Sequence, residues 1–140
     1  MIPVSATILN ENGKNVIELT FNDKKRSMDI TTKEGGKGVR ERSAELLFLA
    51  MAVCYTNDIY REAALREIEV ESVEVRVRGE FDGSPGCIAE DVTCDVKVAA
   101  NASEQAIIDL IEHTDTVAEM NNTLRAATPV GLGVIEAVEA

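Results

Sequence analysis

Residues 43–58, "SAELLFLAMAVCYTND", carry the feature that most constrains the fold: nine consecutive apolar residues from Leu46 to Cys54. A helix that crosses a membrane needs about twenty such residues, so this run belongs inside a protein. Ser43 is a suitable N-cap, and Glu45 in the first turn matches the positive end of the helix dipole. The stretch therefore predicts a long helix, roughly Ser43 to Arg66. Its first half is apolar on every side and must be covered all round. A chain of 140 residues, expected to form a single domain over 1–140, builds one core. It can hardly surround such a helix alone, so a second copy is expected to cover one side. The second half, "NDIYREAALREIE", reads as amphipathic and solvated.

The elements on either side follow from turn chemistry and periodicity. "VSATILNENGKNVIELTFND" places Asn12-Gly13 between two β-prone runs, a hairpin signal. Asp23-Lys24-Lys25 reads as the next turn and "RSMDIT" as a third strand. "TKEGGKGVRER", with Gly35, Gly36 and Gly38 close together, reads as a flexible loop. Beyond the helix, Val73, Val75 and Val77 alternate with Glu74, Arg76 and Arg78, and Val92, Cys94, Val96 and Val98 share a second register. Both segments are half-buried strands. A second helix begins near Ser103, with Ala106, Ile107, Leu110 and Ile111 on one stripe. Thr116 and Glu119 have the spacing of a capping box that starts a short helix through Ala126. "TPVGLGVIEAVE" reads as a closing strand. The order βββ-α-ββ-α-α-β bunches strands together, which is the α+β class.

Composition narrows the partners. A net charge of −11 repels both phosphate backbones and anionic lipid, so neither nucleic acid nor a membrane surface is an expected partner. The N-terminal residues lack the basic and apolar regions of a secretory leader, and a cytoplasmic location is expected. Three cysteines, Cys54, Cys87 and Cys94, form no CxxC and no paired framework. With a single histidine, His113, they do not form a clustered zinc ligand set, and no metal or cofactor is expected.

Cys94, on the valine face of a strand, reads as a small hydrophobe. Cys87, after a Pro-Gly turn, reads as inert, and His113 as solvated or capping. Cys54 differs, because the apolar run ends at it and Asn57 and Asp58 follow within a turn. A free thiol has a pKa of about 8.5 and needs a cation or donors to become a nucleophile. Cys54 lies about three turns from the helix start, where the dipole has faded. Asp58, one turn on, opposes ionisation. An activating cation must come from elsewhere. Lys37, Arg40 and Arg42, in the glycine-rich loop before a helix start, form a candidate anion-binding set.

"SAELLFLAMAVC" resembles the central helix of the OsmC/Ohr family, the osmotically induced and organic-hydroperoxide-resistance proteins. Many members start that helix P-x-E-L-L and reach a cysteine nine residues after the glutamate, as Glu45 and Cys54 do here. The glycine-rich loop, the paired strands and the closing "TPVGL" also match. The resemblance implies an intertwined α+β homodimer with a long buried central helix and a site at the subunit interface. It also implies thiol-dependent reduction of organic hydroperoxides, with Cys54 attacking the peroxide to give a sulfenic acid. Dithiol members resolve that acid with a second cysteine before a late short helix. Here the aligned position is Asp115 or Ala118. In the hydroperoxide branch the catalytic glutamate lies ten residues before the cysteine, where this chain has Ala44. Arg26, Arg40 and Arg42 are candidates for the family's activating arginine. Nine residues of helix rise about 13.5 Å, so Glu45 and Cys54 of one helix do not touch, and a shared site requires two chains.

These residues favour a single-cysteine thiol peroxidase, protective under oxidative stress, with Cys54 and Glu45 catalytic and an external thiol as reductant. The alternative is a non-catalytic module that holds a small anionic thiol or acyl-thiol at the dimer interface through Lys37, Arg40 and Arg42. A purely structural Cys54 is the third reading.

Overall fold

The computed structural model describes residues 1–139. Residues 1–47 and 48–140 form two compact units, and the boundary falls within the long helix.

The first unit is an antiparallel meander of β1 (Val4–Glu11), β2 (Lys14–Phe21) and β3 (Lys24–Met28). The β1–β2 turn is Asn12-Gly13, both with positive φ (52° and 70°), as expected for an Asn-Gly hairpin. The β2–β3 turn lies one residue earlier than the sequence reading. Phe21 pairs with Lys24, and Asn22 takes the left-handed conformation (φ 58°) that its short polar side chain tolerates. β3 accordingly ends at Met28.

The glycine-rich segment is not a loose connection. Thr32 bridges Val39, and the Arg40 N–H donates to the Thr31 carbonyl at 2.9 Å. Asn15 Nδ2 donates to the Ile30 and Gly38 carbonyls, and Asn10 Nδ2 to the Gly36 carbonyl at 3.1 Å. Gly36 closes this arrangement. Its φ is +81°, and an added Cβ would lie 2.6 Å from the Gly13 Cα. Two side-chain amides and one close glycine contact thus supply order where regular structure does not.

The second unit contains most of α1 (Ser43–Leu65), then β4 (Glu69–Glu80), β5 (Glu90–Asn101), α2 (Glu104–Val117) and α3 (Glu119–Arg125). β4 and β5 pair antiparallel, with Val73 opposite Val98, Val75 opposite Val96 and Val77 opposite Cys94. The alternation read from the sequence is therefore one apolar face. Tyr55, Ile59 and Ala63, spaced four apart on α1, join Leu110 of α2 and Ala118 to form the core. Val70, Val73, Val75, Val96 and Val98 pack against it. Four-residue spacing puts these side chains on one helical face, which explains why they are buried together. Gly79 of β4 leaves room for Phe48, whose Cζ would be 3.0 Å from an added Cβ. Tyr55 ties α1 to α2 by donating its hydroxyl to the Ile111 carbonyl at 2.8 Å.

Three expectations are corrected. The second half of α1 is not merely solvated, because its Tyr55–Ile59–Ala63 stripe packs on the sheet. In the first half Leu47, Leu49 and Val53 are exposed within one chain. The capping box at Thr116 does not form. Thr116 donates back to the His113 carbonyl, Ala118 is the residue before α3, and no side chain caps that helix. The anticipated closing strand over 128–139 has no ladder, and Val130, Leu132 and Val134 are exposed. No sheet edge of the single chain pairs with it.

Gly36→Ala is expected to destabilise the protein by about 1–3 kcal/mol, since it combines left-handed strain with a steric conflict against Gly13. Gly35→Ala has comparable φ but open space around its Cβ, and is expected to cost less. Urea unfolding of the two variants measures the difference.

Candidate functional site

Cys54 is half-buried on the face of α1 next to the core stripe. Its thiol is shared between two carboxylates. Sγ lies 3.6 Å from Asp58 Oδ2, one turn along the same helix, and 3.4 Å from Glu119 Oε2 at the start of α3. Asp58 is buried, whereas Glu119 is exposed over more than half of its side chain. Arg61 completes the cluster, its Nη1 lying 3.1 Å from Asp58 Oδ1 and 3.4 Å from Glu119 Oε1.

Burial pushes the Cys54 thiol above its ordinary value. The Met120 backbone N–H acts in the opposite sense, and the Glu119 and Asp58 carboxylates add to the rise. Asp58 is raised by burial and by its hydrogen bond to Glu119. Glu119 is lowered, first by its own backbone N–H and then by Cys54, Asp58 and Arg61. Of the two, Asp58 is the carboxyl shifted towards its protonated form and Glu119 the one shifted towards its ionised form. The two titrate as a unit. The thiol and both carboxylates offer donor atoms within 4.8 Å of one another, the kind of set that holds a metal ion. Arg61 already provides their positive charge.

A second polar pair lies further along α1. His113 Nε2 of α2 is 2.7 Å from Glu62 Oε1, and Arg61 Nε reaches Glu62 Oε2 at 3.4 Å. His113, read from sequence as solvated or capping, instead pairs with a buried carboxylate across two helices. The amphipathic appearance of this stretch thus conceals Asp58 and Glu62, both of which are buried with partners.

Of the residues singled out by sequence, Cys54 and Asp58 are in contact. Glu45 is not part of this cluster, and its Oε1 accepts from the Arg42 backbone N–H at 3.0 Å, a helix-start contact. Arg40 donates Nε to Glu41 Oε1 at 2.8 Å and holds that carboxyl below its ordinary value. Lys37, Arg40 and Arg42 are exposed, as is Arg26 on β3. All four belong to residues 1–47. Cys94 faces Asn121 Nδ2 at 3.7 Å, and Cys87 lies in the loop before β5. Sequence reasoning missed Arg61 and Glu119. The Asp58–Arg61 spacing of i, i+3 was a usable signal for the first. For the second, the only signal was a glutamate directly after Ala118, one of the two candidate positions for the family's second cysteine.

A sequence model of the OsmC-like protein family matches residues 36–133. The chain belongs to the OsmC-like family. No curated relative matches it. Among solved structures, this OsmC-like chain is similar to the OsmC-like protein of Mycoplasma pneumoniae, with a TM-score of 0.66 at 16% identity, covering 90% of this chain and 89% of that one. A hypothetical protein of Aquifex aeolicus gives 0.60 at 17% identity, with 91% and 89% covered. An OsmC-like hydroperoxide resistance protein from a Jannaschia species gives 0.55 at 12%, with 91% and 87% covered. At these identities the likeness establishes the OsmC-like fold, a mixed α+β architecture. No helix among the described residues is long and apolar enough to cross a membrane.

Glu62 carries a pH consequence. Its carboxyl is held below its ordinary value of 4.5, chiefly by His113 and then by Arg61. A lowered folded pKa means that this stabilisation is complete above that value and is lost as pH falls below it. Thermal midpoints measured between about pH 3 and 6 should show a shallower acid decline in Glu62→Gln than in the wild type.

Proposed function

We propose that this OsmC-like protein is a single-cysteine, thiol-dependent peroxidase acting on organic hydroperoxides in oxidative-stress protection. One observation carries the reading. The thiol that matches the family cysteine is half-exposed and hydrogen-bonded to an ionised, solvent-reaching carboxylate, Glu119. Family membership and the hydroperoxide resistance protein among its structural relatives support it. Cys54 sulfur takes the terminal oxygen of the peroxide, becoming a sulfenic acid while an alcohol leaves. One external thiol then displaces water to give a mixed disulfide, and a second restores Cys54 and leaves as the external disulfide. Glu45 is assigned here to the helix-start contact with Arg42 in the single chain, and to a catalytic role only across a dimer.

The working unit is a homodimer. A second copy covers apolar side chains that one chain leaves open, including Leu49 and Val53 of α1 and Val130, Leu132 and Val134 of the C-terminal segment. Light scattering should return twice the 15.2 kDa chain mass, and Leu49→Asp should reduce it to the monomer value.

Consumption of an organic hydroperoxide with added dithiol should vanish in Cys54→Ser and persist in Cys87→Ser and Cys94→Ser. A second reading is favoured by the upward shift of the Cys54 thiol, which suits ligand binding better than standing nucleophilicity. An inactive wild type that retains a small anionic thiol or acyl-thiol in native mass spectra, weakened by Arg40→Ala or Arg42→Ala, would replace the peroxidase with that binding module.

A further inference from the structure

We infer that Glu119 is the proton acceptor for the Cys54 thiol and returns that proton to the leaving alkoxide, so that Cys54 reacts without a standing thiolate. The inference rests on the peroxidase reading above and supplies an activation step from within one chain. The Cys54 sulfur is 3.4 Å from Glu119 Oε2 and 3.6 Å from Asp58 Oδ2, and both oxygens accept from the same S–H.

The two carboxylates are not equivalent. Asp58 is buried, is held by Arg61 at 3.1 Å and lies 3.6 Å from the sulfur, whereas Glu119 is nearer the sulfur at 3.4 Å and exposes more than half of its side chain to solvent, so it is the carboxylate free to exchange a proton. The charged groups around the sulfur are Asp58 and Arg61 of α1 and Glu119 of α3. The Met120 N–H of α3 also faces the sulfur, and the Glu62–His113 pair lies one step away through Arg61. The only guanidinium of the group is engaged by Asp58, Glu62 and Glu119, so it steadies the carboxylates and not the thiol.

The step balances without any further reagent. The S–H bond breaks and its proton moves to Glu119 Oε2. The sulfur electron pair attacks the terminal peroxide oxygen, the S–O bond forms, and the O–O bond breaks with its electrons on the alkoxide. Glu119 then protonates the alkoxide. Sulfur is oxidised to the sulfenic acid, the hydroperoxide is reduced to the alcohol, and Glu119 ends ionised as it began.

The test compares wild type with Glu119→Gln and Glu119→Asp in two assays on Cys54. One follows alkylation by iodoacetamide against pH, which reads the thiolate population. The other follows single-turnover oxidation by tert-butyl hydroperoxide. Removing a negative charge beside the sulfur should increase alkylation of Glu119→Gln at neutral pH, while its peroxide reaction falls about 100-fold. Glu119→Asp should recover part of the peroxide rate. A purely structural or suppressive Glu119 would move both rates in the same direction, or leave the peroxide rate unchanged, and either result overturns the inference while the peroxidase reading stands. A wild-type Cys54 that alkylates normally but is not oxidised by the peroxide overturns both. Circular dichroism of the Asp and Gln variants separates loss of fold from loss of proton transfer.

Discussion

The stripe Tyr55–Ile59–Ala63, buried against the valine face of β4 and β5, is the contact on which the site depends. Burying a side chain such as Ile59 contributes about 1.5–3 kcal/mol, and the stripe fixes the rotation of α1 about its axis. Once that rotation is fixed, Cys54, about three turns before the end of the helix, has no freedom of direction. It falls beside the buried face with Asp58 one turn beyond. α2 packs through Leu110 and receives the Tyr55 hydroxyl, and the short step through Ala118 then brings Glu119 over the sulfur. A hydrophobic contact thereby determines an electrostatic one.

That electrostatic arrangement has an internal logic. Two carboxylates within 4.8 Å of one another repel unless one is biased towards its protonated form or a cation intervenes, and here Arg61 lies against both while burial biases Asp58. Burial shifts Asp58 towards its protonated form, Glu119 is shifted towards its ionised form, and Arg61 spans both. The same guanidinium touches Glu62, which His113 also holds. α1 thus carries a row of polar groups directly beside its core stripe, each with a partner, as a low-dielectric position requires.

Local signals made much of this legible. The Asn12-Gly13 hairpin, the valine alternation of β4 and β5, and the Ser103 cap, whose hydroxyl accepts from the Ala106 N–H, all rest on neighbours in sequence. Asp58 was legible as an influence on Cys54 because it is one turn away. Glu119 was not, because its contact spans 65 residues and depends on how α3 is delivered. His113 with Glu62 spans 51 residues and was missed for the same reason. The second half of α1 reads as solvated because Asp58, Glu62 and Arg61 interrupt it, and the stripe that it buries became visible only against the sheet. What decides burial is the partner surface, and that surface is the sheet. The closing strand over 128–139 had the right alternation, but a strand also needs an edge to pair with.

A carboxylate beside the reactive thiol acts differently from a second cysteine. A resolving thiol must approach closely and form a covalent bond, which demands mobility in α3. A carboxylate acts through a hydrogen bond and can remain where Arg61 and its own backbone N–H hold it. The sulfenic hydroxyl formed at Cys54 would meet the same Glu119 acceptor that the thiol met, so the oxidised and reduced forms can share one local geometry. The negative charge that makes the thiol slow to ionise also disfavours the sulfenate anion, the species through which a second peroxide would carry sulfur further up the oxidation ladder. On the peroxidase reading, slow ionisation and resistance to overoxidation share their causes: the burial of the sulfur first, and then the two carboxylates that α1 packing places around it.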